Sequence, residues 1–411
     1  MELPPDPDLG PVGLTDPVAV AGLLAPSLAP GAEPPRLRLR YLEHEVGRSL
    51  LAWYRAETGP TATDVVVSRG RRSWDASPLD AAGRFGTSPP ADAVSLLEAA
   101  GVVRPATDAA GTTVAWYPFD PGLPGLACDP GGHLPPGAGR PTGPWRRLAW
   151  MPQQRAVLAS GDVVVKMEAE SERLRAGVQY LDLLRPVVRT PEVLAVDERA
   201  GVYVQELLAG RPLGPPDALA QAAAAGALVG RIVAAGGDDP GARWPVPRVE
   251  PPDLLSATVP VRRLVAHAAP ELGARVERVA TGLAAGAVAG PVATAPLRLT
   301  HGDFNAGQLV ARPRGQLGLV DTDTLCLAPH GQDLATYATN LLAGRPGDLA
   351  AVDAALAGLE EGYGPAPAAL PWLVAVAALR RLDRPIRRYK STWHRRVAQL
   401  LADVEILAAR T

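Results

Sequence analysis

The densest run of chemistry-bearing side chains in this sequence is Leu299-Thr-His-Gly-Asp-Phe-Asn-Ala-Gly-Gln-Leu-Val310. It brings His301, Asp303, Asn305 and Gln308 into one short turn. An apolar stretch from Leu317 then leads to Asp321 and Asp323, which at a period of two would share one face of a strand. Gly331-Gln-Asp-Leu-Ala335 follows. Three carboxylates and an amide oxygen able to converge suit Mg²⁺, a hard cation that takes oxygen ligands. Phosphoryl transfer asks for this donor set: metal against phosphate charge, a carboxylate at the attacking hydroxyl, and a Lys on the nucleotide phosphates. Lysine is scarce here. Of 41 basic residues only Lys166 and Lys390 are Lys. Lys166 closes the apolar strand pattern Asp162-Val-Val-Val-Lys166, where Arg cannot replace a compact ammonium on a flexible stem.

The elements that must position these groups divide the chain. Residues 1–35 are rich in Pro and Gly, with a short helix expected around Pro17–Leu28. Alternating and aromatic-rich runs at Leu37–Tyr41, Leu50–Tyr54 and Asp64–Ser68 read as three strands. The pattern recurs at Arg147–Met151, Ala156–Ala159 and Asp162–Lys166, with Asp-Val-Val-Val-Ser in the first copy against Asp-Val-Val-Val-Lys in the second: a weak internal repeat. A helical stripe runs from Glu168 to about Leu184, closed by Pro186 and Pro191. Strands at Val193–Val196 and Val202–Leu208 come next, and from Pro216 the pattern is mainly helical around the β-like segment Leu297–Asp323. The expected class is α+β, a β-rich half and then an α-rich half, not a regularly alternating parallel sheet.

These segments resemble the aminoglycoside phosphotransferase/choline kinase-like family of small-molecule kinases, over about residues 146–340. The resemblance implies a bilobal protein-kinase-like fold. Its parts would be a Pro-rich segment (1–35), an accessory cap (36–140), a β-rich lobe (141–208) and a helical lobe (209–411). It implies Asp303 as catalytic base and Gln308 and Asp321 as Mg²⁺ ligands, with Asp323 a further candidate. Lys166 would hold the phosphates of ATP or GTP, and Glu172 would pair with it, with Gln179 the other candidate. Gln205, Glu206 and Leu207 would form the hinge that holds the base. No glycine-rich loop is visible, so the turn Pro152–Arg155 would have to cover the phosphates through its amides and Arg155. The family's Asn is Gln308 here, as in maltokinase-like members, which also carry an N-terminal extension. The implied acceptor is a small-molecule hydroxyl of an aminoglycoside, sugar or natural product. A catalytically inactive nucleotide-binding or regulatory protein is the rival reading.

Composition excludes other classes. Net charge is −2, so no basic field exists to hold nucleic acid or an anionic membrane. Two cysteines, Cys128 and Cys326, make neither a disulfide framework nor a Cys-based zinc site. The N-terminus lacks a signal-peptide pattern and no strongly apolar run is long enough to span a bilayer, so a cytoplasmic location is expected. The stretch Arg380, Arg381, Arg384, Arg387 and Arg388 reads as a solvated helix face, or else as a lid over substrate. Asp333 is expected to cap a helix or brace the Asp303 loop.

Overall fold

The computed structural model of the chain describes residues 4, 6, 8–9, 13–58, 61–70, 106–107, 111–127, 130–134, 143–237, 240–342, 344–389 and 391–411. Lys390 and Cys128 lie outside these. The chain divides into two compact units. The first comprises Met1–Arg175, Glu192–Leu207 and Arg387–Tyr389; the second comprises Ala176–Pro191, Leu208–Ile386 and Lys390–Thr411.

The first unit is built on two antiparallel sheets. β1 (Arg36–Glu45), β2 (Ser49–Thr58), β3 (Thr61–Arg69), β4 (Ala106–Thr107) and β5 (Thr112–Trp116) pair in the order β1-β2-β3-β5-β4. β6 (Arg146–Met151), β7 (Arg155–Ser160), β8 (Val163–Glu168), β9 (Val193–Asp197) and β10 (Val202–Glu206) pair in the order β6-β7-β8-β10-β9. Both sheets thus run first, second, third, fifth, fourth. The sequence likeness between Asp64–Ser68 and Asp162–Lys166 falls on the third strand of each.

Strand alternation explains the packing. In β2, Leu50, Ala52, Tyr54 and Ala56 enter a core shared with Val65, Val67, Trp116 and the helix α1 (Pro17–Leu24). Asp16 starts α1 by accepting the Val18 amide, and Pro17 supplies a preset φ at the first position. Leu51 and Val66 point the other way, into a second core with Trp150, Leu158, Val163, Val165, Met167, Val202 and Val204. Leu123 and Leu126 close that core. In β8 this leaves Val164, Lys166 and Glu168 on the opposite face of the sheet. The helix α2 (Ser171–Leu184) follows, burying Leu174, Tyr180, Leu181 and Leu184.

The second unit is mainly helical. α3 (Ala222–Gly236) lies against α7 (Leu349–Tyr363), and their backbones approach so closely that a Cβ on Gly226 would stand 2.0 Å from the Leu359 carbonyl. The Ala/Gly-rich sequence of α3 is therefore what this contact requires. α4 (Val259–Ala268), α5 (Pro270–Ala289), α6 (Gln332–Thr339), α8 (Leu370–Leu379) and α9 (Trp393–Ala408) complete the helices used below. Two small sheets are embedded among them. β11 (Arg211–Pro212), β13 (Leu309–Ala311) and β14 (Leu317–Leu319) form one; β12 (Leu297–Thr300) and β15 (Cys326–Pro329) form the other. No helix among the described residues is long and apolar enough to cross a membrane.

Candidate active site

The loop after β12 is held from below by α6. Asp333, in the first turn of α6, is 2% exposed and accepts the His301 amide at 2.8 Å and the Gly302 amide at 3.0 Å. Burial pushes its carboxyl above the usual range, while these hydrogen bonds and His301 act the other way. Gly302 has φ +90, and a Cβ there would lie 2.3 Å from the Thr324 carbonyl, so only glycine fits. His301 is fully buried, packs edge-on to Phe304 at 6.0 Å, and accepts Thr324 Oγ1 on its carbonyl at 2.8 Å. It is a structural residue of the loop. Asp303 comes next and is exposed. Its backbone carbonyl accepts Asn305 Nδ2 at 2.8 Å, and its carboxylate makes no hydrogen bond among the described residues. Asn305 also caps the following turn by accepting the Gly307 amide at 2.9 Å.

Gln308 ends that turn, and β13 pairs with β14 so that Leu309 stands opposite Leu319. The Gln308 side-chain amide lies 3.1 Å from Asp321 Oδ2. The expectation that a strand presents Asp321 and Asp323 on one face is corrected here. β14 ends at Leu319, and Asp321 takes φ +62. A left-handed residue breaks the period of two, so alternation cannot place Asp323 beside Asp321. Among the described residues no group of three or more His, Cys, Asp or Glu is arranged to hold a metal ion. The convergence of three carboxylates is therefore not found. What is found is one amide beside one carboxylate.

The buried sheet face in the first unit carries the other predicted groups. Strand register puts Lys166 opposite Tyr203 and Val157, Val164 opposite Gln205, and Glu168 opposite Arg155. Lys166 is 6% exposed, with its ammonium 5.8 Å from the Tyr203 ring centre. Glu172 lies exposed in the first turn of α2, with Arg175 as an electrostatic neighbour, and Gln179 is exposed as well. The buried acid nearest in sequence is Glu168, 3.8 Å from Arg173. At the end of β10 the Glu206 amide donates to Glu192 O and the Leu207 amide to Asp162 O.

The turn Pro152–Arg155 has two of its amides already engaged. Gln153 N donates to Asp120 Oδ2 at 2.8 Å and Gln154 N to Met151 O at 3.0 Å. Asp120 also accepts Trp150 Nε1 and the Gly122 amide, each at 2.9 Å. Gln153 Nε2 donates to Ser68 Oγ at 3.0 Å, and Gly122 sits where a Cβ would meet the Gln153 backbone at 2.5 Å. Sequence reasoning missed Asp120. Its only local signal is an ordinary Asp-Pro-Gly turn, and its Trp150 and Gln153 partners lie some thirty positions away. In the basic stretch near the C-terminus Arg380 and Arg388 are exposed, and the reading of a solvated face is corrected at Arg381. Arg381 is not solvated. It is 6% exposed and donates to the Ala377 and Thr336 carbonyls at 2.8 Å each. Burial and the charge of Arg384 pull its guanidinium down, while the Asp303 carboxylate acts to hold its proton.

Residues 153–373, more than half of the chain, match the phosphotransferase enzyme family. Among solved structures, a choline/ethanolamine kinase family protein from Mesorhizobium loti is similar at TM-score 0.50 and 18% identity, over 67% of this chain and 92% of that one. A choline kinase from Streptococcus pneumoniae gives 0.47 and 13% identity over 65% and 94%. An aminoglycoside phosphotransferase from Streptomyces rimosus gives 0.40 and 18% over 58% and 92%. No curated protein matches the chain by sequence. The chain belongs to the phosphotransferase enzyme family, its fold is kinase-like α+β, and it is a small-molecule phosphotransferase with a hydroxyl acceptor.

Proposed function

We propose, with membership of that family as premise, that the chain transfers the γ-phosphoryl group of ATP or GTP, with Mg²⁺, to a hydroxyl of an aminoglycoside-, sugar- or natural-product-like acceptor. The observation that carries this reading is the braced loop. Asp333 fixes the backbone at His301 and Gly302, and the next residue, Asp303, is left exposed, its carboxylate making no hydrogen bond among the described residues. An acceptor hydroxyl can hydrogen-bond there, be oriented, and give up its proton as it attacks. Gln308 and Asp321 are the residues that would hold Mg²⁺, through an amide oxygen and a carboxylate. Their contact at 3.1 Å fits an ion bound by one or two protein oxygens and completed by phosphate and water, once the amide turns its oxygen inward. The ion would neutralise phosphate charge as it develops. Asp323 is a further candidate ligand. Lys166, on its buried strand face opposite Tyr203 and Val157, supplies the fixed positive charge for the phosphates.

The rival reading, a catalytically inactive regulatory protein, has one observation in its favour. The Pro152–Arg155 turn gives the Gln153 amide to Asp120 and so cannot offer it to a phosphate. Against it stands the joint retention of Lys166, Asp303 and Asp321. The test is turnover and nucleotide affinity of Asp303→Asn beside wild type, with thermal unfolding in Mg²⁺ and ATP or GTP. Turnover should fall by about 10²–10⁴, the range for removing a general base, with nucleotide affinity within about threefold. Unchanged turnover removes the base assignment. Absence of any nucleotide-dependent stabilisation removes the phosphotransfer reading.

A further inference from the structure

The second unit buries a cation that no carboxylate pairs with among the described residues. Arg381, just past the end of α8, is 6% exposed. Its Nη1 and Nη2 donate to the Ala377 and Thr336 carbonyls at 2.8 Å each, and its Nε is buried with no hydrogen-bond partner. Arg does not shed its proton to escape burial, so the charge stays and its desolvation is costly. Even with the guanidinium pulled down to about 9, it is charged at neutral pH. The helix does not need it as a partner, because Thr336 O already accepts the Asn340 amide at 3.2 Å. Its place says what the charge is for. Asp333, Thr336 and Tyr337 stand at i, i+3 and i+4, on one face of α6. Asp333 holds the His301 and Gly302 amides, and the Phe304 ring packs on Tyr337 with centres 5.7 Å apart. Asp303 is thus anchored to α6 on both sides, and Arg381 joins the helix between the two anchors. The charges felt by Arg381 include Arg384, Arg380 and Asp383 of its own segment and Asp303 of the loop. Those felt by Asp333 include His301 and Asp303.

We propose that Arg381 is a positioning residue of the phosphotransfer reaction: its fixed positive charge, buried behind the Asp303 loop, keeps the base ionised while phosphate charge is brought up beside it. This rests on the reading of Asp303 as the base. The chemistry is a balance of charge. Asp303 and Asp333 are two carboxylates on one short loop and its brace, and a nucleotide adds more negative charge. Each like charge favours the protonated carboxylate, which cannot take a proton from a hydroxyl. A permanent cation behind the loop opposes that. It acts more strongly once substrate has displaced water from Asp303, because the effective dielectric falls. A neutral donor bonded to the same two carbonyls would hold α6 equally well but would leave the base exposed to the field of the phosphates.

The test reads the base directly and needs no acceptor. The full chain is labelled with ¹³C at its Asp carboxyls, and the Asp303 signal is identified by its loss in Asp303→Asn. That signal is titrated in wild type, Arg381→Gln and Arg381→Lys, free and with saturating Mg-ADP. Gln keeps a donor and drops the charge; Lys keeps the charge and drops the planar fork. In Arg381→Gln the Asp303 midpoint should rise by about half a pH unit or more, and further with Mg-ADP bound. In Arg381→Lys it should stay within about 0.2 pH unit of wild type, whatever the variant loses in unfolding temperature. A role confined to holding α6 would lower the unfolding temperature of both variants and leave both midpoints in place. An Asp303 midpoint unmoved in Arg381→Gln overturns the proposal. So does a rise in Arg381→Lys of about half a pH unit, which alone decides the matter if the Gln variant does not fold. Turnover retained in Asp303→Asn is a different failure: it removes the base reading, and the proposal falls with it.

Discussion

Gly302 is the residue on which the candidate base depends most directly. With φ +90 and the Thr324 carbonyl 2.3 Å from where a Cβ would be, it sets the direction in which the chain presents Asp303. Gly302→Ala should destabilise the protein by at least about 2 kcal/mol, from left-handed strain and the clash together. Turnover should fall about a hundredfold, as expected when a catalytic group is displaced by about an ångström. Urea midpoints and steady-state rates read the two effects, and a stable, fully active variant would show that the loop has slack. At this scale the sequence was most legible where the chemistry is local. His301, Gly302 and Asp303 are consecutive, so their types and order suffice. A continuing apolar strand places Asp321 on its face, and the φ of +62 that ends it is invisible to residue type, because Asp tolerates the left-handed region but takes extended and turn conformations far more often. Glu172 is the acid that the sequence offers early in the helix, and the helix turns it to solvent.

The element that makes the loop rigid is α6. Its first turn places Asp333 under two consecutive amides, which two carboxylate oxygens can accept at once. Asp333→Asn keeps the shape but offers one acceptor, so one amide must face an NH₂ group. The cost should be about 1–3 kcal/mol, the price of one buried unsatisfied donor. The turnover rate should drop further than that stability loss explains, while nucleotide affinity stays near wild type. Equal loss of affinity and rate in a titration-plus-kinetics comparison would mean that Asp333 merely supports the unit. A bracing role was legible, because an Asp at the start of a helix has few other uses. The equivalent role of Asp120 was not. It holds Gln153 N and Trp150 Nε1 across a long sequence separation, and nothing in a short Asp-Pro-Gly segment signals a partner that distant. The same limit hid Arg381, whose basic neighbours suggested a solvated face although its guanidinium donates to two buried carbonyls.

At the scale of the molecule, the repeat has a physical consequence. Two sheets with the same strand order share one core in the first unit, with Leu51 and Val66 from one packed against Val165, Met167 and Val204 from the other. An alternating pattern on both faces of β2 already shows why. A strand with Leu50, Ala52 and Tyr54 on one side and Leu51 and Trp53 on the other must be covered twice. Sequence periodicity reveals that both faces are apolar but not which element covers each. The N-terminal sheet is therefore part of the structure that presents Lys166, and it cannot be removed as an independent cap. A chain beginning at residue 136 would expose Trp150, Leu158, Val163, Val165 and Val202 together, a contiguous apolar surface of the kind that drives aggregation. It should bind a hydrophobic dye, lack a cooperative unfolding transition and fail to bind nucleotide. Leu51→Ala in the full chain tests the same contact gently, with an expected loss of about 2–5 kcal/mol for a buried Leu truncated to Ala. A truncated chain that unfolds cooperatively and binds nucleotide as wild type does would show that the second sheet finds its own cover, and the shared core would then be an accessory of the fold, not a condition for it.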